Sequence, residues 1–217
     1  MIKGILFDLD GVIVDTAVYH YSAWRRMANE LGFDIDEEFN ETLKGISRMD
    51  SIDRILAKGG VTLPKEEILK LATKKNDWYV EMVEQMTTDE ILPGIESIIK
   101  QIKDSGLKMA LGSASKNAPK ILVKIGLMDK FDAIVDGNSV TKSKPDPEVF
   151  LKGAEALGLK NEECLVIEDA YAGIEAAHAA GMKAIGIGSK ENLPNADMNL
   201  SSFDGENLSD LLKELQS

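Results

Sequence analysis

Cysteine is almost missing from this sequence: Cys164 stands alone among 217 residues, so no disulfide can form within the chain. It opens the apolar run Cys164-Leu165-Val166-Ile167 and reads as a small buried hydrophobe. A catalytic thiol would want a histidine close by, and the chain holds only His20 and His178. Basic residues are also in deficit, 25 against 37 acidic ones, for a net charge of −12. That balance argues against sequence-independent nucleic-acid binding, which relies on basic surface. An anionic substrate would meet a repulsive average field, and would need a local basic cluster and a cation. No apolar run approaches membrane-spanning length. Asp8 and Asp10 interrupt the N-terminal apolar stretch that a signal peptide would need, so the expectation is a cytoplasmic protein with no membrane association.

What is present is an alternation of apolar runs and helical patterns. Ile2 to Phe7, Lys108 to Leu111, Ala133 to Val135, Leu165 to Ile167 and Lys183 to Ile187 read as strands buried on both faces. Between them, Ile95, Ile98, Ile99 and Ile102 recur at helical spacing, with Pro93-Gly94 before them and Gly106 after. Ala118 to Ile125, Pro147 to Leu157 and Ala172 to Ala180 repeat the scheme. The predicted fold class is α/β: a Rossmann-like parallel sheet flanked by helices. Residues 16–90 break the rhythm. Stripes at Ala17, Trp24, Met27 and Leu31, at Ile52, Ile55 and Leu56, and from Ile68 to Met86 are helical throughout. The expected organisation is a core domain of residues 1–15 and 91–217 with an inserted all-helical cap of residues 16–90.

Four polar segments end predicted strands or follow them. In Phe7-Asp8-Leu9-Asp10-Gly11 the two carboxylates point the same way on an extended chain, and Gly11 frees the backbone to turn. Like charges so close call for a cation, and Mg²⁺ is the usual hard partner of oxygen ligands. By itself the segment is also an ordinary polar turn. Gly112-Ser113-Ala114-Ser115-Lys116-Asn117 offers hydroxyls and free backbone N–H groups at a helix start, which suit a phosphate, although Ser115 or Asn117 would equally serve as a helix cap. Lys144-Pro145 presents a lysine on a fixed turn; in isolation such a lysine is usually solvated. Glu168-Asp169 closes a strand before a helix, where acids are also favoured by the helix dipole alone.

The order strand-Asp-x-Asp-Gly, strand-Ser, Lys-Pro, strand-Glu-Asp resembles the haloacid dehalogenase superfamily of phosphoryl-transfer enzymes, over the whole chain and with the cap in its usual place. The resemblance implies that Asp8 is a nucleophile passing through an aspartyl-phosphate and Asp10 a general acid and base. It further implies a Mg²⁺ site made by Asp8, Asp10 (through its backbone carbonyl), Glu168 and Asp169, with Ser113 and Lys144 on the transferring phosphoryl.

Within the helical block, Asp15-Thr16-x-x-x-His20, Trp24 on the same face as His20, Leu43-Lys44-Gly45-Ile46-Ser47-Arg48 and Lys74-Lys75-Asn76 resemble β-phosphoglucomutases. That family isomerises β-glucose 1-phosphate and glucose 6-phosphate through β-glucose 1,6-bisphosphate. The implied substrate residues are Thr16, His20, Trp24, Lys44, Gly45, Arg48 and Lys75, with Ser113, Ala114, Ser115, Lys116, Asn117 and Lys144 from the core. Arg48 and Lys116, assisted by Asn117, would form a second phosphate site. His20, Lys44 and Lys75 would touch the sugar or hold the cap closed. Read without the resemblance, Arg48 is an exposed helix-start residue near Asp50, Lys75 a solvated helix face and His20 a core histidine beside Trp24. The expected partner is a small sugar phosphate bound by a monomer. Two rivals remain: a sugar-phosphate phosphatase of the same superfamily, and a signalling receiver domain, whose acceptor aspartate normally ends an internal strand of a shorter chain without a helical insertion.

Overall fold

Alternation along the first strand sets the layers. The computed structural model describes residues 1–215, and Gly4–Phe7 (β1) lies at the middle of a six-stranded parallel sheet. Lys108–Gly112 (β2), Ala133–Val135 (β3), Cys164–Glu168 (β4), Lys183–Ile187 (β5) and Met198–Leu200 (β6) complete it in the order β3-β2-β1-β4-β5-β6. Side chains on a strand alternate between faces. Ile5 and Phe7 therefore enter one core with Ile95–Asp104 (α5), Ala118–Lys124 (α6) and Leu208–Glu214 (α9). Leu6 enters the other, with Glu148–Leu157 (α7) and Tyr171–Ala179 (α8). The four isoleucines of α5 are all buried, as their spacing predicts. Cys164 is buried at the start of β4, and burial raises its thiol to about 11, which suits a packing residue and not a reactive one.

The strand order reverses direction at β1, between β2 and β4. In open α/β sheets the crevice at such a switch, beyond the carboxyl ends of the strands, takes the ligand. Register fixes what stands there. Phe7 pairs with both Leu111 and Ile167, so Asp8, Gly112 and Glu168 come next on three adjacent strands.

Between β1 and α5 the chain leaves the sheet to build a helical block: Ala17–Glu30 (α1), Glu37–Glu41 (α2), Arg48–Gly59 (α3) and Lys65–Val83 (α4). It has its own apolar centre, with Trp24, Met27, Ile52, Ile55, Leu56 and Ala72 buried together. Both connections to the sheet pass one point, where Val14 bridges Ile91 and the Leu92 N–H donates to the Ile13 carbonyl at 2.9 Å. Three elements leave no mark in the sequence pattern. α2 spans five residues and β6 three, too few for any period to show, and α9 follows a loop with no apolar run to announce it.

Phe150 on α7 is fully buried beneath β2. Replacing it with alanine leaves a cavity, and should lower stability by about 3–5 kcal/mol. A fall in the urea midpoint at unchanged m-value would register this; an unmoved midpoint would contradict the packing.

Candidate active site

Three carboxylates meet at the switch point. Asp8 follows β1, Glu168 ends β4 and Asp169 follows it, and one oxygen from each lies within 4.8 Å of the others. Two glycines make this approach possible. Gly11 sits at φ +80°, and a Cβ there would overlap the Asp169 carboxylate; a Cβ at Gly173, in the first turn of α8, would overlap that of Glu168. Either side chain would push a carboxylate out of the cluster.

Lys144 reaches into the cluster from the loop before α7. Its ammonium lies 2.6 Å from Asp8 and 2.5 Å from Glu168, and the residue is 2% exposed. Burial alone would lower its pKa, but the charges of Asp8 and Glu168 outweigh burial and hold it above the usual lysine range. Glu168 also accepts the Ala170 N–H at 2.9 Å. Burial raises the Glu168 pKa, and burial followed by the Glu168 charge raises that of Asp169 well above normal. Lys44 of the helical block lies 3.3 Å from Asp169 and 2.9 Å from Glu41. An all-oxygen donor set this buried, with Glu168 and Asp169 disfavoured in their charged form, fits a hard divalent cation.

Asp10 leaves the sheet turn towards the helical block. Burial first, and then the charge of Asp8, push its pKa up to about 7, while Lys144 and Lys75 oppose the shift. Such a carboxyl can both hold and release a proton near neutrality. Its carboxylate accepts a hydrogen bond from the Thr16 hydroxyl. Thr16 is fully buried and is not among the residues lining the cleft; the short turn between β1 and α1 folds its side chain inward onto Asp10.

The cleft between block and core has a volume of about 830 Å³. Asp8, Asp10, His20, Trp24, Lys44, Gly45, Arg48 and Lys75 line it together with Ser113 to Asn117, Lys144 and Asp169. Lys75 is not solvated: it is 2% exposed, its ammonium 4.0 Å from the centre of the Trp24 ring and 2.8 Å from His20 Nδ1. Burial, then the charge of Arg48, lowers its pKa well below the lysine norm. Burial also lowers that of His20, with Lys75 and Arg48 adding to the effect, which favours the neutral imidazole. His20 stacks on Tyr79 at 4.1 Å, and burial followed by the Asp10 charge keeps the Tyr79 hydroxyl protonated.

Where helical block and core meet, Arg48 donates to Asn76 Oδ1 at 2.6 Å and Asn117 Nδ2 donates to the same oxygen at 2.9 Å. Asn117 does start α6, but its side chain crosses to the helical block and leaves the helix uncapped by a side chain. Lys116 lines the cleft with an exposed side chain, apart from that trio. Ser113 is buried; its hydroxyl accepts the Ser115 N–H at 3.1 Å, which fixes the loop after β2. Sequence reasoning misses Asn76, Tyr79, Asp50 and Ser143 as members of the site. Asn76 alone carries a signal, as the neighbour of Lys75 in a polar stretch of an otherwise amphipathic helix.

Comparison with known proteins agrees with this geometry. Residues 5–187 match the model of the haloacid dehalogenase-like hydrolase family. A β-phosphoglucomutase of Bacillus subtilis is 42% identical over 198 residues, 90% of this chain and 88% of that one. A fructose-1-phosphate phosphatase of Escherichia coli is 31% identical over 85% of this chain and 95% of its own length. The crystal structure of a β-phosphoglucomutase from Clostridium difficile superposes with a TM-score of 0.96 at 44% identity, covering 100% of this chain and 98% of the other.

Proposed function

The chain belongs to the haloacid dehalogenase-like hydrolase family, and within it we propose that it is a β-phosphoglucomutase, interconverting β-glucose 1-phosphate and glucose 6-phosphate through β-glucose 1,6-bisphosphate. One observation carries the choice of mutase over phosphatase. Besides Asp8, Ser113 and Lys144, the cleft is lined by Arg48, whose guanidinium is held by Asn76 Oδ1 while Asn117 donates to the same oxygen; in this reading the first three take the transferring phosphoryl and Arg48 a second phosphate. A bisphosphate needs both places, since either phosphate must be able to occupy either one.

Asp8 attacks the phosphoryl group and becomes the aspartyl-phosphate. Asp10 takes the proton of the sugar C6 hydroxyl as that oxygen attacks the phosphorus, freeing the Asp8 carboxylate. After the bisphosphate turns, Asp10 returns the proton to O1 as Asp8 accepts the C1 phosphoryl. Lys144 and the Ser113 hydroxyl meet the charge that develops on the phosphoryl oxygens. Asp8, Glu168, Asp169 and the Asp10 backbone carbonyl would hold Mg²⁺, whose charge would offset that of the phosphate. Arg48 grips the second phosphate, with Lys116 reaching it from the rim. Residues 16–90 act as a cap that excludes water while residues 1–15 and 91–217 carry the chemistry. We propose further that the enzyme works in the cytoplasm as a monomer; no helix among the described residues is long and apolar enough to cross a membrane.

Arg48→Ala separates mutase from phosphatase. Loss of a charged hydrogen-bonding clamp should cut isomerisation about 10- to 100-fold more than hydrolysis of β-glucose 1-phosphate. Equal losses in the two assays would remove the second phosphate site from the account.

A further inference from the structure

Among the residues lining the cleft, three polar contacts join the helical block to the core; outside the cleft, Glu84 pairs with Lys120 and Lys124 of α6. Lys44 meets Asp169 and Asn117 meets Asn76, both among groups already placed on metal or phosphate. In the third, the Ser143 hydroxyl donates to Asp50 Oδ2. Neither residue has a place in the chemistry above, yet their positions are telling. Ser143 immediately precedes Lys144, and Asp50 lies in the first turn of α3, two residues beyond Arg48.

Each partner is firmly held on its own side. Asp50 Oδ2 also accepts the Ser47 hydroxyl at 2.6 Å, and the Asp50 N–H donates to Ser47 Oγ at 3.2 Å, so the carboxylate is fixed to the start of α3. The hydrogen bonds from Ser143 and Ser47 outweigh partial burial and keep Asp50 below the usual carboxylate range. On the core side, Glu148 Oε2 accepts the Thr141 N–H at 2.9 Å and the Lys142 N–H at 2.8 Å, and the Asp146 N–H donates to the Ser143 carbonyl at 3.0 Å. The loop is thus tied to α7 just before Ser143 and turns back on itself through Asp146 just after it, while Ser143 itself is tied to the helical block.

We propose that the Asp50–Ser143 hydrogen bond couples closure of the helical block to the placement of Lys144 on Asp8, making Asp50 and Ser143 positioning residues that bias phosphoryl transfer towards sugar and away from water. The inference rests on the phosphomutase reading. With the block open, the Ser143 hydroxyl loses its acceptor and the lysine next to it loses one restraint. Water attacking the aspartyl-phosphate then meets an imperfect site: its oxygen would bond to phosphorus, its proton would pass to Asp10, and the Asp8 carboxylate and inorganic phosphate would leave. With the block closed, the restraint is in place and the sugar hydroxyl is the nucleophile at hand. Loss of the tie weakens closed-state transfer and leaves the slower leak to water as a larger share of turnover.

The test is a partition ratio: inorganic phosphate released per glucose 6-phosphate formed from β-glucose 1-phosphate, with Mg²⁺ and a trace of β-glucose 1,6-bisphosphate. Asp50→Ala and Ser143→Ala should each raise the ratio about tenfold, the range of one hydrogen bond to a charged group. The double variant should go no further than either single one. Asp50→Asn, whose neutral amide oxygen still accepts from Ser143, should raise the ratio clearly less than Asp50→Ala does. Because Asp50 also anchors the start of α3, Ser143→Ala reports the same contact without disturbing that helix, and a melting temperature is taken for each variant. A general loss of stability would depress both products together and leave the ratio unmoved. An unchanged ratio in Ser143→Ala, additive effects in the double variant, or an equal shift in Asp50→Asn would overturn the proposal. Wild-type protein that forms no glucose 6-phosphate would instead overturn the phosphomutase reading on which it stands.

Discussion

Asp8→Asn protein folds, binds sugar phosphate and transfers nothing: isomerisation and phosphate release should both fall by at least about 10⁴-fold, as when an enzyme loses its nucleophile. The substitution keeps the size of the side chain and a carbonyl oxygen facing Lys144, which lies 2.6 Å from the native carboxylate. What it removes is the anionic oxygen that forms the bond to phosphorus. An amide oxygen is a far weaker nucleophile, and no other side chain in the cleft offers the same geometry. The change also takes one negative charge from a buried cluster in which Lys144 remains paired with Glu168 at 2.5 Å, so the fold should survive. Matched melting curves with both activities absent are the expected result. Turnover that persists in either assay would mean another nucleophile.

Asp10→Ala should behave differently, slowing both half-reactions by about 10²–10⁴-fold, the usual worth of a positioned acid or base, while Mg²⁺ affinity stays within a few-fold of wild type. The divergence follows from the proposed roles: the carboxyl moves protons, whereas the metal ligand is the backbone carbonyl, which alanine retains. The pH dependence adds a second readout. Burial and the Asp8 charge push the Asp10 pKa up to about 7, so the carboxyl holds its proton below that pH and loses it above. Transfer of the phosphoryl from β-glucose 1,6-bisphosphate to Asp8 needs the protonated form, and its single-turnover rate should fall as pH rises through about 7. In Asp10→Ala that limb should be gone. A large loss of Mg²⁺ affinity, or a persistent limb, would reassign Asp10.

Much of this arrangement is legible in the sequence, and the boundary has a physical cause. Strands β1 to β5 are visible because a strand covered on both faces must be apolar throughout, and the polar residues that end such runs mark the crevice. Hence the apolar pattern alone is enough to place Asp8, Ser113, Glu168 and Asp169 at the carboxyl ends of the strands. The edge strand Met198–Leu200 has a polar centre and three residues, so it leaves no pattern. Lys75 shows the limit most clearly: a charged residue on a helix reads as solvated, and only the docking of α1 against α4 encloses it between Trp24 and Tyr79. The Arg48–Asn76–Asn117 trio and the Asp50–Ser143 contact each join segments far apart in the chain. No local spacing records them, because the Arg48–Asn76 bond needs α3 packed against α4, and the Asn117 and Ser143 contacts need the helical block seated on the core. Thr16 gives no local sign of its contact with Asp10, which the fold makes by turning its side chain inward.

The central claim is that the aspartyl-phosphate gives its phosphoryl to a sugar and not to water. Wild-type protein incubated with β-glucose 1-phosphate, Mg²⁺ and a trace of β-glucose 1,6-bisphosphate, with glucose 6-phosphate and inorganic phosphate followed in the same sample, tests it most directly. Glucose 6-phosphate should accumulate with little phosphate released; phosphate release matching substrate loss, with no glucose 6-phosphate, would contradict the account and make the protein a phosphatase.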